Sequence, residues 1–195
     1  MQKPIGESQT NNISSNTDLT HKPAWHLAIL LGAGMLIAIL HQSFHWPLKM
    51  PGHHGMELMA IMMLVRQASP YRYAATTASF GNVLVSSIFS HEQLIQQIIF
   101  ILQGLLIDKV YPLLDKRRNH LGLHTWVIGV ALLAGLAHTI KPMVKWMMQT
   151  GLNIPAGSLV NGLGFPTVSH LIFGFIGGAV GALAWRSYQA YHQKK

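Results

Sequence analysis

The chain contains no cysteine, and that absence removes two options together: no disulfide can staple it, and no thiolate can hold a metal. Charge is scarce as well. Only 10% of the residues are Asp, Glu, Lys or Arg, with 6 acidic against 14 basic. A soluble all-α domain would need far more charged surface. Patterns for catalysis are missing too. No Gly-x-x-x-x-Gly-Lys-Ser/Thr loop occurs, so ATP binding through a P-loop is not expected. Neither a Gly-x-Ser-x-Gly elbow nor a His-Glu-x-x-His pair is present. No enzyme and no cofactor are expected.

What remains is apolar. Half of the 195 residues are hydrophobic and the mean hydropathy is +0.30. The apolar runs do not alternate as strands do, and several approach bilayer-spanning length. The chain reads as one all-α integral membrane protein, a compact bundle of six transmembrane helices over residues 25–190. Residues 1–24 are polar and rich in Asn, Ser and Thr, which predicts a disordered cytoplasmic tail rather than a cleaved signal peptide. The net charge of +8 would suggest nucleic acid in a soluble protein. In a membrane protein Lys and Arg report orientation instead, so a lipid bilayer and no nucleic acid is the expected environment.

The first span runs from about Trp25 to Leu40, with small residues at Ala24, Ala28, Gly32, Gly34 and Ala38. Such a stripe lets helix backbones approach closely, within the chain or against a partner. The second run, Met56–Val65, is short and carries Met59, Met62 and Met63, which suit flexible core filling better than metal ligation. The third, Ala74–Phe89, is too rich in Thr, Ser and Asn to face lipid and should pack inside the bundle or line a cavity. The fourth is Gln93–Ile107, followed by an extramembrane stretch from Asp108 to His120. The fifth is His124–Ile140, with an amphipathic continuation to Thr150. The sixth, about Thr167–Trp185, carries Gly174, Gly177, Gly178 and Gly181, giving Gly-x-x-x-Gly twice. This arrangement places 11 of the 14 Lys and Arg on the side of the termini, leaving Lys49, Lys141 and Lys145 opposite. Both termini are therefore expected inside and the chain in the inner (plasma) membrane.

The histidines collect on the outer side. Pro47 and Pro51-Gly52 turn the chain between the first two spans, where His41, His45, His53 and His54 crowd together. The second span then brings in a carboxylate, Glu57. His91-Glu92, Gln96, Gln97, His138, Lys141, Lys145, Asn161 and His170 reach the same side. Polar groups are costly at spans and mark a cavity, a pathway or a paired interior. The expected substrate site comprises His53, His54, Glu57, Gln97, His138, Lys141, Asn161 and His170. A second reading makes His41, His45, His53, His54 and Glu57 a metal-handling group, since His53 and Glu57 share a helical face. A third is a membrane scaffold whose polar residues satisfy one another.

Six short spans, inside termini, the small-residue first helix and the closing Phe173-Gly174-Phe175-Ile176-Gly177-Gly178 together resemble the substrate-binding S components of energy-coupling factor (ECF) transporters. The turn Pro51-Gly52-His53-His54-Gly55 before a Leu/Met-rich helix looks similar too. The resemblance covers residues 25–190 as topology. It implies capture of a vitamin-like nutrient from outside and docking on a membrane-embedded coupling subunit through Ala28, Gly32 and Ala38. Two separate ATPases would drive release inward. Cobalt- and nickel-specific relatives carry a metal-binding Met-His at the N-terminus; this chain begins Met1-Gln2-Lys3, so the resemblance implies no resident metal.

Overall fold

A computed structural model describes residues 23–43, 50–89, 94–118, 120–153 and 162–193. The expected tail lies outside the described residues except at its end, where Pro23 and Ala24 already open the first helix. Proline suits that position, because the first helical N–H has no partner anyway. Among the described residues seven helices follow in order: α1 (Pro23–Ser43), α2 (Gly55–Ala68), α3 (Ala74–Phe89), α4 (Leu94–Lys116), α5 (Leu123–His138), α6 (Ile140–Leu152) and α7 (Gly164–His192). No strand occurs among the described residues.

Four stretches are long and apolar enough to cross a membrane: Ala24–Ser43, Leu94–Lys116, Leu123–Leu152 and Gly164–His192. The third unites α5 and α6, which break only at Thr139. Pro142 explains the break, since it offers no N–H to the carbonyl of His138. The expected second and third spans correspond to α2 and α3. These are shorter, about 21 Å and 24 Å at the helical rise, against a hydrocarbon layer of about 30 Å.

Glycine sets how closely the helices approach. A Cβ on Gly177 or Gly181 would strike the carbonyls of Met56 and Ala60 on α2. On the neighbouring face of α7, Gly174 and Gly178 lie against Ala134 of α5. The two Gly-x-x-x-Gly pairs therefore serve two different neighbours. α1 and α3 interlock in the same manner, Gly34 resting on the carbonyl of Ala78 and Gly81 on that of Leu31. Met59, Met62 and Met63 are fully buried in one cluster with Phe100, Ile107, Trp126 and Val130, so the methionines fill the core as expected.

α3 divides its surface. Thr76, Thr77, Ser79, Asn82 and Ser86 are buried, while Phe80, Leu84 and Ile88 form an exposed apolar stripe. The hydroxyls of Thr77, Ser79 and Ser87 donate back to carbonyls four residues earlier, which satisfies them without water. The expectation that α3 avoids lipid thus holds only for its polar face.

The stretch expected to lie outside the membrane from Asp108 onward needs correction. α4 continues through Pro112 to Lys116, and Asp108 is 3% exposed. Its carboxylate accepts from the N–H groups of Ala75 (3.2 Å) and Thr76 (2.8 Å) and from the Thr76 hydroxyl (2.7 Å). Arg66 Nε sits 3.3 Å away, and the Arg66 guanidinium lies over the Tyr111 ring at 5.0 Å. Arg66 also donates to the carbonyls of Ser69 and Tyr71, both at 3.2 Å. A neighbouring helix thus supplies the cap that α3 lacks in its own sequence.

Candidate functional site

The opposite end of the bundle holds the histidines. Pro51 and Gly52 cross between α5 and α7 in a turn that requires glycine: Gly52 has φ +85°, and a Cβ there would meet the His170 ring at 2.8 Å. Ser169 donates its hydroxyl to the Pro51 carbonyl, fastening the turn to α7. Gly55, opening α2, is equally constrained, because a Cβ would run into the His138 imidazole.

These contacts fix the roles of the ring nitrogens. His138 Nε2 lies 3.3 Å from the Gly52 carbonyl, so that nitrogen carries the proton. Nδ1 then accepts from the Gln103 amide at 3.4 Å, with both side chains buried. His170 Nδ1 donates to the Pro166 carbonyl at 2.7 Å, and His53 Nδ1 to that of Met50 at 2.6 Å. Both of these rings are left with Nε2 as an acceptor. The five imidazoles form two groups on either side of Pro51-Gly52. His53 and His41 flank His54 at ring-centroid distances of 3.9 Å and 4.3 Å, and His138 and His170 pair at 4.7 Å.

Two cavities open here. The first, about 120 Å³, is bounded by His41, Gly52, His53, His54, Asn82, Ser86, Phe100, His138 and Lys141. The second, about 170 Å³, is bounded by Pro51, Gly52, Lys141, Lys145, Pro166 and His170. Lys141, at the start of α6, borders both. It follows His138 by three residues, so the two reach the same side of the bundle across the break at Thr139.

Four of the eight expected site residues, His53, His54, His138 and Lys141, line the first cavity, and His170 lines the second. Glu57 stands beside them without lining either cavity. Its carboxylate is 3.9 Å from His54 Nδ1, close enough for an ion pair if that imidazole is protonated but too far for a hydrogen bond. Gln97 is engaged elsewhere, donating to the Ser87 hydroxyl at 2.8 Å. Asn161, His45, His91 and Glu92 lie outside the described residues. The site list lacked Asn82, Ser86, Phe100 and Gln103. Asn82 and Ser86 carried a signal, two polar residues four apart on the polar third segment. Gln103 carried the same signal, a polar residue inside an apolar span, and Phe100 carried none.

Among the described residues, no three His, Asp or Glu side chains converge as a metal site. The rings of His41, His53 and His54 lie close together, but ring contact is not ligation, which needs nitrogens aimed at one centre. On α1, Ala28 and Gly32 are exposed, and a Cβ on Gly32 would touch nothing within 4 Å. Ala38 is different. It is 2% exposed and faces the bundle, since six residues from Gly32 rotates it away from that stripe. No protein family, curated protein or solved structure matches the chain.

Proposed function

We propose that this chain is the substrate-binding membrane subunit of a nutrient importer and acts without catalysis of its own. The reading rests chiefly on the first cavity, where imidazoles, the Lys141 ammonium, Asn82 and Ser86 arrive from separate helices around one small space. A fixed cation beside neutral donors and acceptors suits a ligand bearing a carboxylate or similar anionic group. Each cavity is smaller than the roughly 300 Å³ at which drug-sized sites begin, which favours a compact ligand or one that enters by displacing the Pro51-Gly52 turn.

In this reading the histidine end faces outward and the Arg-rich end faces the cytoplasm, with both termini inside. α2 and α3 complete six crossings as short helices sheltered by longer ones, in the plasma membrane. The exposed face of Ala28 and Gly32 is the docking surface for a membrane-embedded coupling subunit, and separate ATPases supply the energy. The metal-handling alternative draws no support from the described histidines.

The test is native mass spectrometry of gently purified protein for a retained small molecule, followed by affinity measurements on two variants. Lys141→Gln removes the pocket cation, and Glu57→Gln releases His54 from its carboxylate. Each should weaken retention at least tenfold, about 1.4 kcal/mol, while the protein still inserts. No retained molecule from a ligand-rich membrane, or normal affinity in both variants, would overturn the assignment.

A further inference from the structure

The end of the bundle away from the histidines holds a second arrangement, which the proposed transport function does not use. Trp126, in the first turn of α5, is 1% exposed. Two guanidinium groups lie over its ring, Arg118 at 5.3 Å and Arg186 at 5.0 Å. Cation–π attraction accounts for each stack separately, but not for bringing two like charges to one indole. Arg118 donates to the Gln189 amide oxygen at 2.6 Å, a neutral partner. Among the described residues neither arginine forms an ion pair with a carboxylate. The nearest acid in sequence, Asp115, receives the Tyr111 hydroxyl at 3.5 Å.

Unmet donors accompany the unmet charge. The indole N–H of Trp126 and the Nε–H of Arg186 are both buried without a hydrogen-bond partner. Buried donors without acceptors are rare and call for an explanation. Two cations and two orphan N–H groups, with one amide oxygen bonded to Arg118 alone, lack one thing: an anion with several acceptor oxygens.

The depth of the cluster says which kind. From Gly164 to Trp185 α7 rises about 33 Å, close to the roughly 30 Å thickness of the hydrocarbon layer. Arg186 therefore emerges where headgroup phosphates lie if Gly164 marks the other interface. Trp185, stacked on Tyr188 at 5.4 Å, and the exposed Tyr191 form an aromatic belt at the same level. We propose that Arg118, Arg186 and Trp126 bind the phosphate of an anionic phospholipid, a resident lipid that completes the junction of α4, α5 and α7. The planar guanidinium fork matches phosphate oxygens in pairs, which an ammonium does not.

The test is native mass spectrometry of the full chain from nanodiscs containing phosphatidylglycerol and phosphatidylcholine in equal amounts. One phosphatidylglycerol should remain per chain, retained at least tenfold over phosphatidylcholine. Arg118→Gln with Arg186→Gln should abolish that preference. Lys116→Gln with Arg117→Gln removes the same charge from exposed positions at the same end and should leave it intact. Trp126→Phe keeps the ring and removes the N–H, so it reads the site even if the double arginine variant does not fold; retention should fall several-fold. Equal retention of the two lipids, equal loss in the Lys116/Arg117 control, or unchanged retention in Trp126→Phe would each overturn the proposal. Displacement of the lipid by millimolar inorganic phosphate would overturn its lipid identity and leave a soluble-anion site.

Discussion

Replacing Asp108 by Asn tests whether the bundle depends on a cap supplied across helices. The carboxylate accepts from two backbone N–H groups and one hydroxyl at the start of α3 and faces Arg66 at 3.3 Å. An asparagine keeps one acceptor oxygen and turns the other position into a donor. That NH₂ would then point at either the Ala75 or the Thr76 N–H, or at the Arg66 guanidinium. One buried donor loses its partner, which costs about 1–3 kcal/mol. Arg66 also becomes a buried charge without its counterion; breaking a buried pair from one side costs about 3–5 kcal/mol in total. Asp108→Asn should therefore destabilise by about 3–5 kcal/mol. Arg66→Met should cost less, about 2–3 kcal/mol, because the α3 amides and their dipole still hold the carboxylate. The double variant removes both charges together and should be milder than the sum by at least about 1 kcal/mol. Chemical unfolding in mixed micelles, followed by circular dichroism, measures all three. Strict additivity would refute the pairing, and a loss below about 1 kcal/mol for Asp108→Asn would refute the cap.

Two further outcomes follow from close approach. Gly55→Ala places a methyl against the His138 imidazole and should push that ring off the Gly52 carbonyl; overpacking of this kind costs about 1–3 kcal/mol, and ligand retention should fall with it. A variant with unchanged stability and retention would show that the α2 start is not held against His138. On α1, Ala28→Leu and Gly32→Leu should leave folding and ligand binding intact while abolishing uptake in cells, whereas buried Ala38→Leu should impair folding itself. Unfolding of the first pair would make their stripe internal packing, and normal uptake would remove the docking face.

The elements were legible where composition alone determines them. The long apolar runs, the fully buried methionines and the paired glycines of α7 follow from residue type and spacing. Helix ends were harder. Asp108 looked like the first residue of a loop because a carboxylate next to Lys109 ordinarily marks solvent, yet it is buried by contacts 32 and 33 residues away in sequence. No local pattern encodes such a partner. The same limit shaped the site. Histidines and Lys141 announced themselves as polar groups at helix ends, but Phe100 and Gln103 reach the histidine end only through the packing of α4 on its neighbours. Ala38 fell out of the expected docking stripe because its spacing from Gly32 is not a whole number of helical turns.

The two ends of the bundle treat polar groups in opposite ways, and that contrast bears on which end can change. At Asp108 each contact is a charge-assisted or backbone hydrogen bond, and Arg66 is shared among four acceptors or ring faces. Opening it would expose a charge. At the histidine end the contacts that join the turn to α5, and His138 to α4, are neutral and longer, 3.3 Å from His138 to Gly52 and 3.4 Å from Gln103 to His138, while the Ser169 hydroxyl ties the same turn closely to α7. They are made by a turn with little secondary structure of its own. Separating Pro51-Gly52 from α5 would give up one long hydrogen bond, worth about 1 kcal/mol net, and would open the space between the two cavities that the turn and Lys141 both border. A bundle pinned by the Arg66–Asp108 pair at one end and closed by a turn held loosely to α5 at the other yields first where the turn meets α5. Under the proposed function the turn would therefore part from His138 on α5 while Ser169 keeps it hinged on α7, with the Arg66–Asp108 end as the fixed point.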